Sequence, residues 1–210
     1  MSEIVIFGAG GRAGRHAVRE AVTRGHQVTA VVRQPDRHRD LTGEGVRVVT
    51  GDVTRADDVA AAAAGHDAAI NAAVRLDVPS REFFAAAAHA LLDGLGRAGV
   101  GRLVLVGIGS ALETAPGVMV HDAPGFPVDG REFSLGPVAQ LGVLRDADTA
   151  IDWLVPAPPA ARTGRYRIGG SQILPGGDGS ASFSYADLAV ALVDEAETPK
   201  HHRTLAAVAA

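Results

Sequence analysis

The order of apolar and polar residues predicts strands that alternate with helices through the first half of the chain. Short apolar runs bounded by turn residues are typical of buried strands, and apolar residues spaced three and four apart are typical of helices. The pattern places strands at 3–7, 27–33, 46–50, 67–71 and 102–107, with helices near 12–24, 55–64 and 80–98. This alternation predicts an α/β fold with a doubly wound parallel sheet, a Rossmann fold.

The pattern is less regular in the second half. Residues 111–137 are rich in Pro and Gly without clear periodicity, so we expect a long loop on the substrate side of the sheet. A single domain over 1–210 is expected, with 157–210 as a small C-terminal extension. The further elements expected are a helix near 137–147, a strand near 150–155 that ends at Pro156, a strand at 165–169, a turn at 175–177 and a helix from Tyr185 to about Ala196.

Composition excludes several classes of function. The chain has 210 residues, 47% of them apolar, and a net charge of −4, which predicts a globular protein without a nucleic-acid partner. No signal peptide or membrane-spanning run is visible. The absence of cysteine excludes disulfides and thiolate metal sites, and it fits a cytoplasmic protein. We expect a monomer or homodimer that binds a small molecule and no metal.

A glycine-rich turn follows the first predicted strand. Residues 4–14 read Ile-Val-Ile-Phe-Gly-Ala-Gly-Gly-Arg-Ala-Gly. Gly8 permits a tight reversal, Gly10 and Gly11 let backbone N–H groups approach a pyrophosphate, and Gly14 lets the helix pack close to the sheet. An apolar strand before the turn and an amphipathic helix after it supply the context that this motif needs. The turn therefore predicts a bound dinucleotide.

Two arginines favour NADPH over NADH. An acidic residue at the end of the second strand binds the ribose 2′-hydroxyl of NAD, whereas arginine there binds the 2′-phosphate of NADP. Arg33 stands at this position and Arg37 follows four residues later, while Asp36 lies in the loop. Guanidinium groups bind oxyanions bidentately, so the pair suits a phosphate.

Three further positions follow the third and fourth strands. Asp52 lies where such folds contact the adenine, although a turn or a helix cap would also explain an aspartate there. Ala72 and Ala73 are small enough for a cofactor to lie across the strand ends, and plain packing would explain them equally.

Few side chains could donate a proton during catalysis. A tyrosine with a lysine four residues later is excluded, because Gly170 and Ala189 follow Tyr166 and Tyr185 at that distance. His121 lies in the long loop and could act near neutral pH, although an exposed loop histidine explains it as well. A flavin or quinone can take its proton from water, so this scarcity favours a conjugated acceptor.

Several motifs together resemble the atypical short-chain dehydrogenases that bind NAD(P)H. More narrowly, the chain is similar to bacterial NAD(P)H-flavin reductases, relatives of the biliverdin-IXβ/flavin reductases and of the NmrA-like proteins. The likeness spans nearly the whole chain and is carried by Gly8-Ala9-Gly10-Gly11-x-x-Gly14, Val32-Arg33-x-x-x-Arg37, Gly51-Asp52-Val53, Gly65-His66-Asp67-Ala68, Leu112-Glu113-x-Ala115-Pro116-Gly117, Phe126-Pro127, Arg162-Thr163-Gly164-Arg165-Tyr166 and Tyr185-Ala186-Asp187-Leu188-Ala189.

The resemblance implies roles for individual residues. The turn from Gly10 through Arg12 and Ala13 to Gly14 would bind the pyrophosphate, with Asp52 and Val53 at the adenine. By the same resemblance, the pair Arg33 and Arg37 would bind the 2′-phosphate, and Ala72 and Ala73 would face the ribose and nicotinamide. Ser110 would line the nicotinamide pocket, although counting back from Leu112-Glu113 aligns Ala111 with the family's serine.

These observations predict an NADPH-dependent oxidoreductase that transfers a hydride to a flavin, quinone or related conjugated molecule. Two alternatives remain open at the level of sequence. One is an NmrA-like dinucleotide-binding sensor without turnover, which the scarcity of proton donors would fit. The other is a tailoring enzyme of secondary metabolism with one dedicated substrate.

Overall fold

A central sheet of eight strands carries the helices on both faces. The computed structural model describes residues 1–158, 167–174 and 184–209. The strands of the central sheet are β1 (Glu3–Phe7), β2 (Gln27–Val32), β3 (Val46–Thr50), β4 (Ala68–Asn71), β5 (Arg102–Leu105), β8 (Asp152–Ala157), β9 (Arg167–Ile168) and β10 (Thr204–Ala209), with β6 (Glu113–Ala115) and β7 (Val118–Met119) forming a separate antiparallel pair. The helices are α1 (Arg12–Thr23), α2 (Ala56–Ala63), α3 (Ser80–Ala98), α4 (Val128–Asp146) and α5 (Tyr185–Glu197).

The strand order confirms the predicted doubly wound sheet. It runs β3-β2-β1-β4-β5-β8-β10-β9, and every pairing is parallel except that of β9 with β10. The chain winds outward from β1 in both directions, so the order reverses between β1 and β4. A crevice opens at the carboxyl ends of strands at such a reversal, and it is the usual binding site of these folds.

Alternate residues of the strands build two cores, one on each face of the sheet. On β1, Val5 and Phe7 pack toward α2, α3 and α4, whereas Ile4 and Ile6 pack toward α1 and α5. All four side chains are fully buried. This double burial explains the unbroken apolar runs of the strands.

Helix α4 corrects the prediction of a loop as far as residue 137. The helix begins at Val128 and carries Pro137 in its interior. Proline cannot donate the hydrogen bond that the carbonyl four residues earlier expects. That carbonyl, of Phe133, instead accepts a hydrogen bond from Ser80 Oγ of α3 at 2.7 Å. Packing against α3 therefore gives this carbonyl a hydrogen-bond partner, and α4 continues through a proline, a residue that usually ends a helix.

The final strands also differ from the prediction. β8 continues through Pro156 and Ala157, and the carbonyl of Pro156 accepts from the N–H of Gly107 at 2.9 Å. β10 was not predicted, and it pairs with β8 inside the main sheet. Of the strand predicted at 165–169, β9 forms Arg167–Ile168; residues 165 and 166 and the turn at 175–177 lie outside the described residues.

Candidate functional site

The glycine-rich turn has the geometry of an anion-binding site. Gly8 has a φ of 72°, and a Cβ there would lie 2.5 Å from the backbone of Ala73. A Cβ on Gly14 would lie 2.2 Å from the carbonyl oxygen of Gly8. Helix α1 starts directly after Gly11, and no side chain caps it. The N–H groups of its first turn therefore face the crevice without a side-chain acceptor, which favours an anion there.

A small cavity of about 270 Å³ lies beside this turn, at the carboxyl ends of β1 to β4. It brings together most of the cofactor residues that the sequence predicted. The predicted residues among its lining are Gly8, Gly10, Gly11, Arg33, Asp52, Val53, Ala72 and Ala73. Arg12 and Ala13 line the larger cavity next to it. Gly14 lies under the turn in contact with Gly8.

Arg37 lies outside both cavities. Its side chain is exposed, and it makes no side-chain hydrogen bond or ion pair within the described residues. Arg33 is also exposed but does line the small cavity. The structure therefore brings Arg33 to the predicted pocket and leaves Arg37 on the adjacent turn.

Asp52 is held in its ionised form at the wall of the small cavity. Its Oδ1 accepts hydrogen bonds from the backbone N–H and the hydroxyl of Thr54, at 2.9 and 2.7 Å. Burial opposes ionisation, but these bonds and the charges of Arg33 and Arg75 hold the pKa of Asp52 below its ordinary value. Its Oδ2 has no partner in the described part of the chain and can accept from a ligand.

The sequence analysis missed two basic residues of the small cavity, His38 and Arg75. Arg75 follows β4 by four residues and donates to both oxygens of Asp77, at 3.0 and 2.6 Å. These bonds lower the pKa of Asp77 to about 2. The signal for Arg75 was its position after a strand end. His38 carried no comparable signal.

A large cavity of about 770 Å³ continues from the small one toward β5, β8 and β10. Gly11, Ala72, Ala73 and Val74 line both cavities, so the strand ends after β4 form their common wall. The lining of the large cavity is mostly apolar and includes Phe84, Leu112, Phe126, Phe133, Leu174 and Tyr185. Such a space suits a sizeable planar or apolar molecule.

Ser110, rather than Ala111, lies in the lining of the large cavity. Its Oγ is 2.7 Å from the Oγ of Ser134, which is itself 2.7 Å from the carbonyl oxygen of Gly130. When Ser134 donates to that carbonyl, Ser110 donates to Ser134 and presents only lone pairs to the cavity. When Ser134 turns its proton to Ser110, Ser110 is free to donate into the cavity.

His121 is buried rather than exposed, with 4% of its surface accessible. Its Nδ1 lies 2.7 Å from the carbonyl oxygen of Ser110, and its Nε2 lies 3.7 Å from a carboxyl oxygen of Asp122. The ring does not line the large cavity. His121 therefore supports the turn that carries Ser110.

Arg12 and Tyr185 form one side of the large cavity mouth. The guanidinium carbon of Arg12 lies 5.3 Å from the centre of the Tyr185 ring, and the ring of His16 stacks on Tyr185 at 6.1 Å. Cation–π contact of this kind restrains a long side chain.

In the part of the chain that the structure describes, no helix is long and apolar enough to cross a membrane.

Comparisons with known proteins agree with this geometry. The sequence profile of a family described as NAD(P)H-binding matches residues 8–199. The uncharacterized protein YwnB of Bacillus subtilis is 33% identical over an alignment of 210 positions that covers 95% of this chain and 94% of that protein. The predicted family resemblance is thereby confirmed at the level of NAD(P)H binding.

Solved structures agree over the full length. A protein of Burkholderia pseudomallei described as a "putative exported protein" is 34% identical, with a TM-score of 0.85 and 100% of both chains covered. A "putative NADH-flavin reductase" of Streptococcus pneumoniae is 25% identical, with a TM-score of 0.83 over 100% of this chain and 99% of that one. The fold of this chain is therefore shared with these proteins.

Proposed function

Because the chain belongs to the NAD(P)H-binding family, we propose that it is an NADPH-dependent oxidoreductase that transfers a hydride to a flavin, quinone or related conjugated molecule. The observation that carries the proposal is the junction of the two cavities. A cavity lined by Arg33, His38, Asp52 and Arg75 lies beside the glycine-rich turn and shares Ala72 and Ala73 with a mostly apolar cavity almost three times its volume. A dinucleotide placed along this path would reach the apolar cavity with its nicotinamide end.

The residues present fit the cofactor. The uncapped start of α1, with Arg12 and Ala13 in its first turn, would hold the pyrophosphate. Asp52 and Val53 would contact the adenine, Asp52 through its free Oδ2. Arg33 would pair with the 2′-phosphate, and Arg37 on the neighbouring turn would add a second guanidinium. Any side chain at Gly8 would collide with the wall below the cofactor.

The chain would then supply binding, exclusion of water and one hydroxyl. Reduced nicotinamide supplies the hydride, which is the cofactor's own chemistry. The apolar lining would hold the acceptor ring against the strand ends and keep water from the reacting face. Ser110 would donate a hydrogen bond or proton to the acceptor when Ser134 turns its own proton toward Ser110. His121 would act by positioning the backbone of Ser110.

The name of the Streptococcus pneumoniae relative supports a flavin as acceptor. That name specifies NADH, whereas Arg33 and the absence of a carboxylate at the end of β2 favour NADPH here. An acceptor with a conjugated ring also fits the scarcity of proton donors, because Ser110 and Tyr185 carry the only hydroxyl groups in the described lining.

A dinucleotide-binding sensor is the second candidate. It is favoured by the pairing of the Ser110 hydroxyl with Ser134 and by the place of His121 behind the cavity wall. In that case the large cavity would bind a molecule that is not reduced.

The experiment that separates the two candidates is an anaerobic assay of NADPH oxidation with a panel of riboflavin, FMN and a small quinone. The proposal expects oxidation that depends on the acceptor and is slower with NADH. Binding of NADPH with no oxidation across the panel would favour the sensor.

A further inference from the structure

His38 is placed at the small cavity by a break in a short helix. It lies in the 3₁₀ turn Pro35–Leu41 that follows β2, and its backbone leaves helical values there, with φ −131° and ψ 31°. Its ring is half-buried and lines the small cavity together with Arg33. The adjacent Arg37, by contrast, lies outside the cavity lining.

The ring of His38 occupies the space above Gly10. A Cβ on Gly10 would lie 2.5 Å from the Cε1 of His38 and 2.6 Å from its Nε2. A side chain at position 10 and the imidazole at position 38 therefore exclude each other. The imidazole places polar ring nitrogens beside the glycine-rich turn, where glycine has no side chain of its own.

Arg15 fixes which nitrogen of the His38 ring carries the proton. An Nη2 hydrogen of Arg15 points at His38 Nδ1 over 3.1 Å. A guanidinium only donates hydrogen bonds, so Nδ1 must accept and the proton must lie on Nε2. Arg15 is itself held by the carbonyl of Gly10 at 2.9 Å and by the carboxylate of Asp40.

The Nε2–H of His38 is consequently a fixed donor without a partner in the described residues. The pyrophosphate would be bound by the N–H groups at the start of α1, which no side chain caps. The remaining anion of the proposed cofactor is the phosphate on the adenosine ribose, which Arg33 attracts to the same cavity.

We propose that His38 Nε2–H donates a hydrogen bond to the 2′-phosphate of the bound dinucleotide and thereby helps to select NADPH, with Arg15 as the residue that positions the ring. This inference rests on the proposed function only for the identity of the ligand, because it concerns binding and not turnover. It adds an imidazole N–H donor beside the guanidinium of Arg33.

The test is calorimetric titration of wild type, His38→Leu and His38→Gln with 2′,5′-ADP and with 5′-ADP. His38→Leu should weaken binding of 2′,5′-ADP about tenfold or more, since a hydrogen bond to a charged group is lost, and should change 5′-ADP by less than about twofold. His38→Gln should recover most of the loss, because its side-chain amide can place an N–H close to the position of Nε2.

Equal weakening of both nucleotides in His38→Leu would overturn the proposal, because the ring would then merely support the turn. Unchanged binding of 2′,5′-ADP would also overturn it. This test is separate from the test of the proposed function. If His38→Leu loses affinity only for 2′,5′-ADP and the wild type does not oxidise NADPH, the role of His38 is supported and the reductase is contradicted. A wild-type protein that binds neither nucleotide would contradict both.

The role of Arg15 has its own readout. Nitrogen NMR of labelled histidine should show His38 protonated at Nε2 alone in the wild type and as a mixture of tautomers in Arg15→Met. The variant should also lose part of its preference for 2′,5′-ADP over 5′-ADP. A single Nε2 tautomer and an unchanged preference in Arg15→Met would refute the positioning role.

Discussion

At the scale of single residues, Arg33 has two roles in the small cavity. It lies close enough to Asp52 to affect its pKa, and it would bind the phosphate of the ligand. Its guanidinium helps to hold the pKa of Asp52 below the ordinary value. The Oδ2 of Asp52, on the same wall of the cavity, remains available to accept a hydrogen bond from a ligand. Anion and adenosine would thus be recognised by neighbouring groups of opposite charge. This arrangement depends on a cation at the end of β2, because a carboxylate there would repel a phosphate.

We expect Arg33→Ala to weaken NADPH binding about tenfold to a hundredfold, because a hydrogen bond to a charged group contributes about 1.5–3 kcal/mol. NADH binding should change by less than about threefold. Titration of the protein's fluorescence with each cofactor measures both. The matched control is Arg39→Ala, since Arg39 is exposed on the same turn and pairs with Asp36 at 2.8 Å. An equal effect of the two variants would assign the selectivity to overall charge.

Ser110 permits a second test at this scale. Ser110→Ala should lower kcat with a flavin or quinone about tenfold, since one hydrogen bond to the reacting molecule is lost. The Kd of NADPH should stay within about twofold, because the hydroxyl lies in the large cavity away from the phosphates. Stopped-flow oxidation and a binding titration separate the two effects. A variant with unchanged kcat would mean that water supplies the proton.

The sequence pointed to residues of the turn and strand ends that do line the small cavity, because the place of each has a local cause. Gly8 needs a positive φ, and Arg33 stands at a fixed place after an apolar strand. His38 and Arg75 were missed because their place depends on a kinked turn and on a loop, which have no periodicity. His121 was treated as an exposed or catalytic loop residue, and only tertiary packing determines that it is buried.

At the scale of elements, the junction of β1 and α1 leaves no room for side chains. Gly14→Ala would place a Cβ 2.2 Å from the carbonyl oxygen of Gly8, and backbone cannot move aside without opening the turn. We expect a loss of about 1–3 kcal/mol in unfolding free energy and weaker binding of either cofactor. Urea unfolding and cofactor titration measure the two effects.

The control for this variant is Gly142→Ala in the interior of α4. Nothing lies within 4 Å of a Cβ at that position. Alanine should raise the unfolding free energy by about 0.5–1 kcal/mol, because glycine loses more backbone entropy in a helix. Destabilisation by Gly142→Ala as large as that by Gly14→Ala would show that the turn is not specially tight.

Elements with a strong local pattern were predicted, and those that rely on distant partners were not. The start of α4 was missed because residues 111–137 are rich in Pro and Gly without clear periodicity, whereas Ser80 of α3 satisfies the carbonyl that Pro137 leaves free. β10 was missed because its alanines are also typical of helices. Its parallel pairing with β8 buries residues 205–208 completely, which no local pattern reveals.

At the scale of the whole molecule, a buried ion-pair network lies at the opposite end of the sheet from the cavities. Arg102 at the start of β5 bonds to Asp152 at the start of β8 at 2.7 Å and to Glu195 of α5 at 3.0 Å. Glu195 is 2% exposed, and it also accepts from His201 at 2.6 Å. The network joins α5 to two strands far from the proposed ligand.

The stability of the fold should therefore depend on Glu195, whereas substitution of Glu195 should leave cofactor binding unchanged. Burial opposes its ionisation, but hydrogen bonds from Lys200 and His201 hold the pKa of Glu195 below its ordinary value of 4.5. Because folding lowers this pKa, the ionised carboxylate stabilises the fold fully above the unfolded-state pKa. That stabilisation is lost as the pH falls through the folded-state pKa.

We expect Glu195→Gln to reduce the unfolding free energy by about 1.5–3 kcal/mol at neutral pH, because the buried carboxylate that accepts from Arg102 and His201 loses its charge while Asp152 stays paired with Arg102. The difference from wild type should shrink as the pH falls through the lowered folded-state pKa of Glu195, because the wild-type carboxyl then becomes protonated as well. Urea unfolding across pH tests this, with cofactor affinity unchanged at neutral pH. A difference that grows toward acid pH would contradict the assignment.

The most direct measurement of the central claim is an anaerobic single turnover in which NADPH, riboflavin and the protein are mixed and both chromophores are followed together. Hydride transfer across the junction of the two cavities predicts that the nicotinamide and flavin absorbances fall together at one rate and in equal amounts. Arg33→Ala should slow both at limiting NADPH. Perturbation of the NADPH signal on binding, with the flavin still oxidised, would contradict the account.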